Sequence, residues 1–223
     1  MGLLDMVSSA FSSVCSAAVS LVSSAVSAKG SAVSGLAGNL LKMASPYLGL
    51  ITAVVEIISQ LLGITKEGES SEELGDKAMR ADKIPEDFDT TAEYITYLRE
   101  EVEFDKDEFD KLSDEEKLAR SAVGTAISMK GINETKGFEV SLGTWTSMAK
   151  LYDKGILNND TVNGFLDEFK ENQEELNGYV NKEIKGAKGV EVAGKMAEAY
   201  QKLEPELSSE AINDKVLNSK IGE

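Results

Sequence analysis

Charged residues are spread very unevenly along this chain of 223 residues. Up to Lys66 there are three basic and two acidic side chains, which sum to +1, although the whole chain carries a formal net charge of −16. The remainder from Glu67 onward therefore carries −17. This shift predicts two regions, a Ser/Ala/Val/Gly-rich one over residues 1–66 and an acidic soluble one over residues 67–223. The Gly/Ser/Glu run at residues 65–71 is typical of a solvated linker between them.

The composition excludes several functional classes. Because the chain has no histidine, it lacks the Ser-His and Cys-His nucleophile pairs and the usual zinc sites. Its single cysteine cannot form an internal disulfide. The acidic excess would repel phosphate backbones, which argues against nucleic acid as a partner. We therefore predict no cofactor and no metal, and we do not expect an enzyme.

Residues 6–28 show a sorted helical pattern. At about 100° per residue, the serines of this stretch occupy an arc of about 160°, and apolar residues fill the opposite side. The polar face of this predicted helix thus bears hydroxyls instead of charges. It consists of Ser8, Ser9, Ser12, Ser13, Ser16, Ser20, Ser23, Ser24 and Ser27. Cys15 falls on the apolar side and is interpreted as a small buried hydrophobe.

Two further stretches continue the near-neutral region. After a predicted break near Gly30, residues 31–42 keep a small and polar face opposite an apolar one. Pro46, capped by Ser45, then suits the first turn of a helix from Tyr47 to Ile64. At about 18 residues, that helix just reaches the length that spans a bilayer core. Its apolar face is Ile51, Val54, Val55, Ile58, Leu61 and Leu62, and its polar face is Thr52, Glu56, Ser59 and Gln60.

A hydroxyl-bearing helix face has three uses that the sequence leaves open. In a bilayer, small residues let helices approach closely, and serine can bond across helices or line a wet pore. In a soluble oligomer or against a carrier, the same face would pack tightly on another protein. Alternatively, these helices bury against the chain's own acidic region.

The acidic region also has helical periodicity. Capping boxes at Thr90–Glu93 and Ser113–Glu116 open two helices, and Gly131 is the expected end of the second. The clearest apolar register predicts one helix over residues 161–184, and Trp145 is expected in the core. The predicted fold class is all-α, a Ser/Ala/Gly-rich amphipathic helical region followed by an acidic helical bundle.

Short motifs in the acidic region do not support specific chemistry. Residues 189–196 match the spacing of a phosphate-binding loop, but Met196 replaces the magnesium-binding hydroxyl and no strand precedes the run. The Asp105–Asp110 stretch has a phenylalanine at a calcium-ligand position and lacks the required glycine. The first run falls in a helix predicted over residues 190–203, and the second is interpreted as a solvated helix end.

The arrangement in residues 6–64 resembles that of small pore-forming antibacterial effectors delivered by bacterial type VI secretion systems. The serine ladder, the small residues at 30–38 and the amphipathic segment at 47–64 carry the resemblance, which covers about a quarter of the chain. It implies a protein made in the cytoplasm and exported by a non-classical route, since no signal peptide is recognisable. A secretion-system carrier and a neutralising immunity protein would be its partners.

The leading hypothesis is a membrane-inserting, pore-forming toxin that acts at a target-cell membrane, forms homo-oligomers on insertion and conducts cations past an acidic lining. The predicted pore-lining or helix-packing residues are Ser12, Ser16, Ser20, Ser24, Glu56, Ser59 and Gln60. The alternative is a structural or cargo protein of an injection machine or virion, whose hydroxyl-faced helices pack against partner subunits. A third class, an enzyme that cleaves lipid or sugar with paired carboxylates, would depend on single Asp or Glu residues.

Overall fold

The computed structural model describes residues 18–22, 31–43 and 47–222. Every regular element in this part of the chain is a helix, so the all-α prediction is confirmed. Several predicted positions lie outside the described residues, namely Ser12, Cys15, Ser16, Ser24, Gly30, Ser45 and Pro46.

The helices fall into two compact units, of which the first ends at Gly137 and the second begins at Phe138. The first unit contains α1 (residues 18–22), α2 (Ser31–Met43), α3 (Leu48–Leu61), α4 (Ser71–Arg80), a 3-10 turn (Pro85–Asp87), α5 (Thr91–Glu101), α6 (Lys106–Asp110) and α7 (Asp114–Lys136). The second contains α8 (Leu142–Asp153), α9 (Val162–Glu168), α10 (Gln173–Val180), α11 (Gly186–Leu203) and α12 (Ser209–Asn218).

The division between the units lies far from the change in composition at residues 66/67. Helices α2 and α3 come from the near-neutral region, yet both pack on α7, which belongs to the acidic region. This packing is favourable because it removes apolar side chains of α2 and α3 from water. Packing in the first unit therefore crosses the composition boundary.

Helix α7 is the centre of the first unit, since it contacts α2, α3, α4 and α5. Its predicted capping box is confirmed: Ser113 Oγ accepts from the Glu116 N–H at 3.3 Å, and the Glu116 carboxylate accepts from the Ser113 N–H at 2.9 Å. The predicted end at Gly131 is wrong. The helix continues to Lys136 and ends at Gly137, which takes the left-handed φ of 72°. Gly131 instead gives room to Ile64, whose methyl carbon would lie 3.0 Å from an added Cβ.

The second unit has a core of large aromatic side chains. Trp145 is buried there, as predicted, and the rings of Phe165 and Tyr200 stack with centroids 5.2 Å apart. The single helix predicted over residues 161–184 is wrong, because the chain turns between α9 and α10. The run from Lys170 to Glu175 has no apolar side chain to bury. Instead, the Gln173 carboxamide donates to the Lys170 carbonyl within the turn and also bonds the backbone of Glu139 and Ser141, just before α8.

Candidate functional site

Helix α3 bears most of the described candidate residues. It has 14 residues instead of the 18 expected, because the Ile64 N–H donates to the Ser59 carbonyl and Gly63 takes a φ of 71°. These two features close the helix at Leu61. No helix within the described ranges is both long enough and apolar enough to cross a membrane.

Most of the apolar side chains of α2 and α3 are buried, although Leu61, which the sequence places on the apolar face of α3, is 57% exposed. On α3 and α2, the apolar side chains with no more than 4% exposure are Leu48, Ile51, Val54, Val55, Ile58, Val33, Ala37, Leu40 and Leu41. Both helices pack on α7. Full burial of one Val, Leu or Ile side chain contributes roughly 1.5–3 kcal/mol, so the hydrophobic effect dominates this interface.

A hydroxyl pair crosses the interface between α3 and α7. Thr52 Oγ1 and Thr125 Oγ1 lie 2.8 Å apart, and Thr125 also donates its proton to the Ser121 carbonyl at 2.8 Å. Because a threonine hydroxyl has a single proton, Thr52 must be the donor to Thr125. Such a neutral bond contributes about 1 kcal/mol, which is small beside the apolar burial around it.

Glu56 and Ser59 lie together at the end of α3 that faces the start of α4. Glu56 Oε1 accepts from the Ser71 backbone N–H at 2.5 Å. Ser59 is buried, donates to the Glu56 carbonyl at 3.0 Å and pairs with Thr65 Oγ1 at 2.6 Å. Both polar side chains are therefore used within the first unit in this folded state.

The other described candidates lie nearer the surface. Ser20 of α1 is exposed while Ala18 and Val22 are buried, which agrees with the sorted pattern expected there. Gln60 is half-buried at the end of α3. The role of these residues as a pore lining stays a prediction.

Helices α4 and α7 cross with their backbones in contact. A Cβ added to Gly75 would lie 1.8 Å from the Arg120 carbonyl oxygen, and one added to Gly124 would lie 1.8 Å from that of Ser71. No side chain fits at either position. Glycines in the middle of helices are the sequence signal for such a crossing, but they do not reveal which two helices meet.

A buried carboxylate locks the same crossing. The side chain of Asp76 is 4% exposed; its Oδ1 accepts from Arg120 Nε at 2.8 Å, and its Oδ2 accepts from Arg80. The ion pair between Asp76 and Arg80 lies within α4, at i, i+4 spacing, whereas the bond between Asp76 and Arg120 joins α4 to α7. Because charge-assisted hydrogen bonds are strong and directional, this bond fixes how α4 and α7 cross.

The turn between α3 and α4 is fixed to α5. Glu69 accepts two hydrogen bonds from the Arg99 guanidinium, at 2.5 and 2.8 Å, and one from the Lys66 N–H at 2.7 Å. Burial acts to raise the pKa of the Glu69 carboxyl, but these bonds outweigh it and hold that pKa below its ordinary value. The turn thus has its own anchor, independent of α3.

Within the described ranges, no group of three or more His, Cys, Asp or Glu side chains is placed to hold a metal ion. The G-x-x-x-x-G-K run lies inside α11, where Lys195 pairs with Glu175 at 2.8 Å. Asp105 caps α6 by accepting from the Glu108 N–H at 3.0 Å. Both segments are helical, as interpreted from the sequence.

Comparison of this chain with protein families, with curated proteins and with solved structures yields no match.

Proposed function

We propose that this chain is a membrane-inserting, pore-forming protein and that the α2–α3 pair is its inserting element. The proposal is supported chiefly by the low charge of these two helices and by their packing on α7. The two helices contain only one lysine and one glutamate, and both pack on α7 with most of their apolar side chains buried. The folded chain would therefore be a soluble storage form of a near-neutral, apolar segment.

Transfer of α2 and α3 from their contact with α7 to lipid would cost little free energy. Hydrocarbon tails are as apolar as leucine side chains, so residues such as Ile51 and Ile58 would stay out of water in either surrounding. Little polar bonding to α7 would be lost, since the Thr52–Thr125 bond is a single neutral one. The same transfer would be prohibitive for α4, because Asp76 and its arginine partners would have to leave their ion cluster.

In the inserted oligomer, the polar face of α3 would line a narrow path. Glu56 supplies a carboxylate to that face, and Ser59 and Gln60 supply neutral polar groups. A ring of carboxylates favours cations over anions. By the same proposal, the hydroxyl face with Ser12, Ser16, Ser20 and Ser24 lines the path or packs between helices.

The resemblance to type VI effectors extends the proposal to localisation and partners. The protein would be made in the cytoplasm and delivered by a non-classical route to the membrane of a target cell. A carrier of the secretion system and an immunity protein would bind it before and after delivery. The acidic remainder, with its net charge of −17, would keep the apolar pair in solution until then.

Ion flux through vesicles tests this function. The purified full chain, added at micromolar concentration to vesicles of phosphatidylethanolamine and phosphatidylglycerol, is expected to dissipate a potassium gradient and to pass cations in preference to chloride. Glu56→Gln should weaken that preference, whereas Glu67→Gln, which removes an exposed carboxylate of the linker, should not. Absence of flux from protein that is helical by circular dichroism would contradict the proposal.

A second candidate function is favoured by two glycines of α2. A Cβ placed on Gly35 or Gly38 would meet no atom of the described residues within 4 Å. A glycine inside a helix costs roughly 0.5–1 kcal/mol relative to alanine. Close packing of a partner helix against these glycines would offset that cost, because the absence of a side chain lets two helices approach closely. On this view the chain is a structural or cargo protein that packs on partner subunits. Gly35→Leu should then abolish assembly in size-exclusion chromatography and leave vesicles unaffected.

A further inference from the structure

The first backbone N–H of α4 is capped by a side chain from another helix. Ser71 is the first residue of α4, and its N–H donates to Glu56 Oε1 of α3 at 2.5 Å. The local cap, Ser70, is engaged elsewhere, since its Oγ accepts from the Glu73 N–H at 3.1 Å. The capping of α4 is thus shared between a neighbouring serine and a carboxylate 15 residues earlier.

This contact is favourable for electrostatic reasons. The N-terminus of a helix carries a partial positive charge, and a carboxylate that accepts a backbone N–H there forms a charge-assisted bond. Glu56 is also the only acidic residue between Asp5 and Glu67. Between Asp5 and Glu67, Glu56 is thus the single carboxylate available to bond the acidic region, and it bonds the first N–H of α4.

Ser71 is buried, and Glu56 is the acceptor of its N–H. Ser71 is 2% exposed, and its hydroxyl is buried without a hydrogen-bond partner in the described part of the chain. Removal of the carboxylate would leave both the N–H and the O–H of Ser71 unpaired and away from water. Unpaired buried polar groups are costly, so α3 and α4 should separate more readily.

We infer that Glu56 is a clasp that holds α3 on the N-terminus of α4 and controls how fast the α2–α3 pair is released for insertion. This inference rests on the proposed pore-forming function. Release would break the bond to Ser71 and leave the same carboxylate on the polar face of α3, next to Ser59. Breaking the Glu56–Ser71 bond would then also free the Glu56 carboxylate to line the proposed cation path.

Hydrogen exchange in the absence of membranes tests the clasp itself. In the full chain, Glu56→Ala should accelerate exchange of the Ser71 amide by about tenfold or more, because its acceptor is gone. Glu56→Gln retains an acceptor oxygen at the same place and should exchange nearly as the native chain does. Glu67→Ala changes the net charge equally at an exposed position and should have no effect. An unchanged Ser71 rate in Glu56→Ala would overturn the clasp.

Dye release from the vesicles described above tests its control of insertion. Glu56→Ala should release dye several-fold faster than the native chain, whereas Glu67→Ala, which removes an exposed carboxylate, should stay close to native. If the native chain releases dye and Glu56→Ala is no faster, the clasp is overturned while the pore-forming function stands. If neither releases dye, the proposed function fails and control by Glu56 fails with it. Circular dichroism of each variant shows whether it is folded.

Discussion

Helix α7 has two interfaces of opposite character. Toward α4, the backbones touch at Gly75 and Gly124, and Asp76 of α4 binds Arg120 of α7 across the crossing while it also pairs with Arg80 of its own helix. Toward α3, the contact is made by fully buried aliphatic side chains with one hydroxyl pair, Thr52 and Thr125. The first interface depends on one exact fit of backbone and charge, whereas the second depends mainly on keeping apolar surface out of water.

This difference indicates that α3 could separate from α7 more easily than α4 could. A bilayer can replace α7 as an apolar partner for α3, but it offers nothing in place of the Asp76 cluster. We therefore expect α4 and α7 to remain paired when the α2–α3 pair is released. Substitutions in the two interfaces should separate these behaviours.

The largest effect is expected at the glycine crossing. Gly124→Ala would place a methyl group 1.8 Å from the Ser71 carbonyl oxygen, so the two helices would have to move apart. We expect a loss of about 3 kcal/mol in the free energy of unfolding, measured by urea denaturation. A loss below about 1 kcal/mol would show that the crossing is looser than described.

The next largest effect is expected at the ion cluster. Asp76→Asn keeps the shape of the side chain but removes the charge that Arg80 and Arg120 share, and should cost about 2–3 kcal/mol. Asp110→Asn is the matched control, because Asp110 is exposed and pairs with Lys106 at 3.4 Å. Its change in unfolding free energy should stay within about 0.5 kcal/mol. Equal losses in the two variants would refute a special role for the Asp76 cluster.

The hydroxyl pair on the other interface should matter less. Thr52→Val and Thr125→Val should each cost about 1 kcal/mol, while the double variant should cost clearly less than the sum. The coupling energy follows from a double-mutant cycle in urea. Strict additivity would mean that the two hydroxyls do not interact.

The smallest change is expected on the outer face of α2, and it has the opposite sign. Gly38→Ala adds a methyl group where no described atom lies within 4 Å, and alanine lowers the entropy of the unfolded chain. The protein should gain about 0.5–1 kcal/mol in unfolding free energy. A loss of stability would indicate that this position is covered in solution.

Local features of the sequence predicted much of the fold. The hydroxyls of Thr90 and Ser113 accept the N–H groups of Glu93 and Glu116, as expected of helix caps, because a cap depends only on residues three positions apart. The apolar register of α3 likewise predicted most of its buried face, since Ile51, Val54, Val55 and Ile58 are all fully buried. It was wrong for Leu61, which lies at the end of the helix and is 57% exposed.

Pairings between distant residues could not be predicted in this way. The bond from Ser71 to Glu56 and the crossing of Gly75 with Gly124 both depend on how α3, α4 and α7 meet in space. The extent of α7 was misjudged for the same reason, because Gly131 accommodates Ile64 from a distant part of the chain and does not end the helix. Helical periodicity carries no information on which faces come together.

The most direct test of the account is to lock α3 onto α7. The side-chain oxygens of Thr52 and Thr125 are 2.8 Å apart, so cysteines at both positions, in a chain that also carries Cys15→Ser, should form a disulfide. We predict that the oxidised protein releases no dye from vesicles and that reduction restores release to the level of the Cys15→Ser chain. Equal release before and after reduction would contradict the claim that the α2–α3 pair must leave α7 for the protein to act.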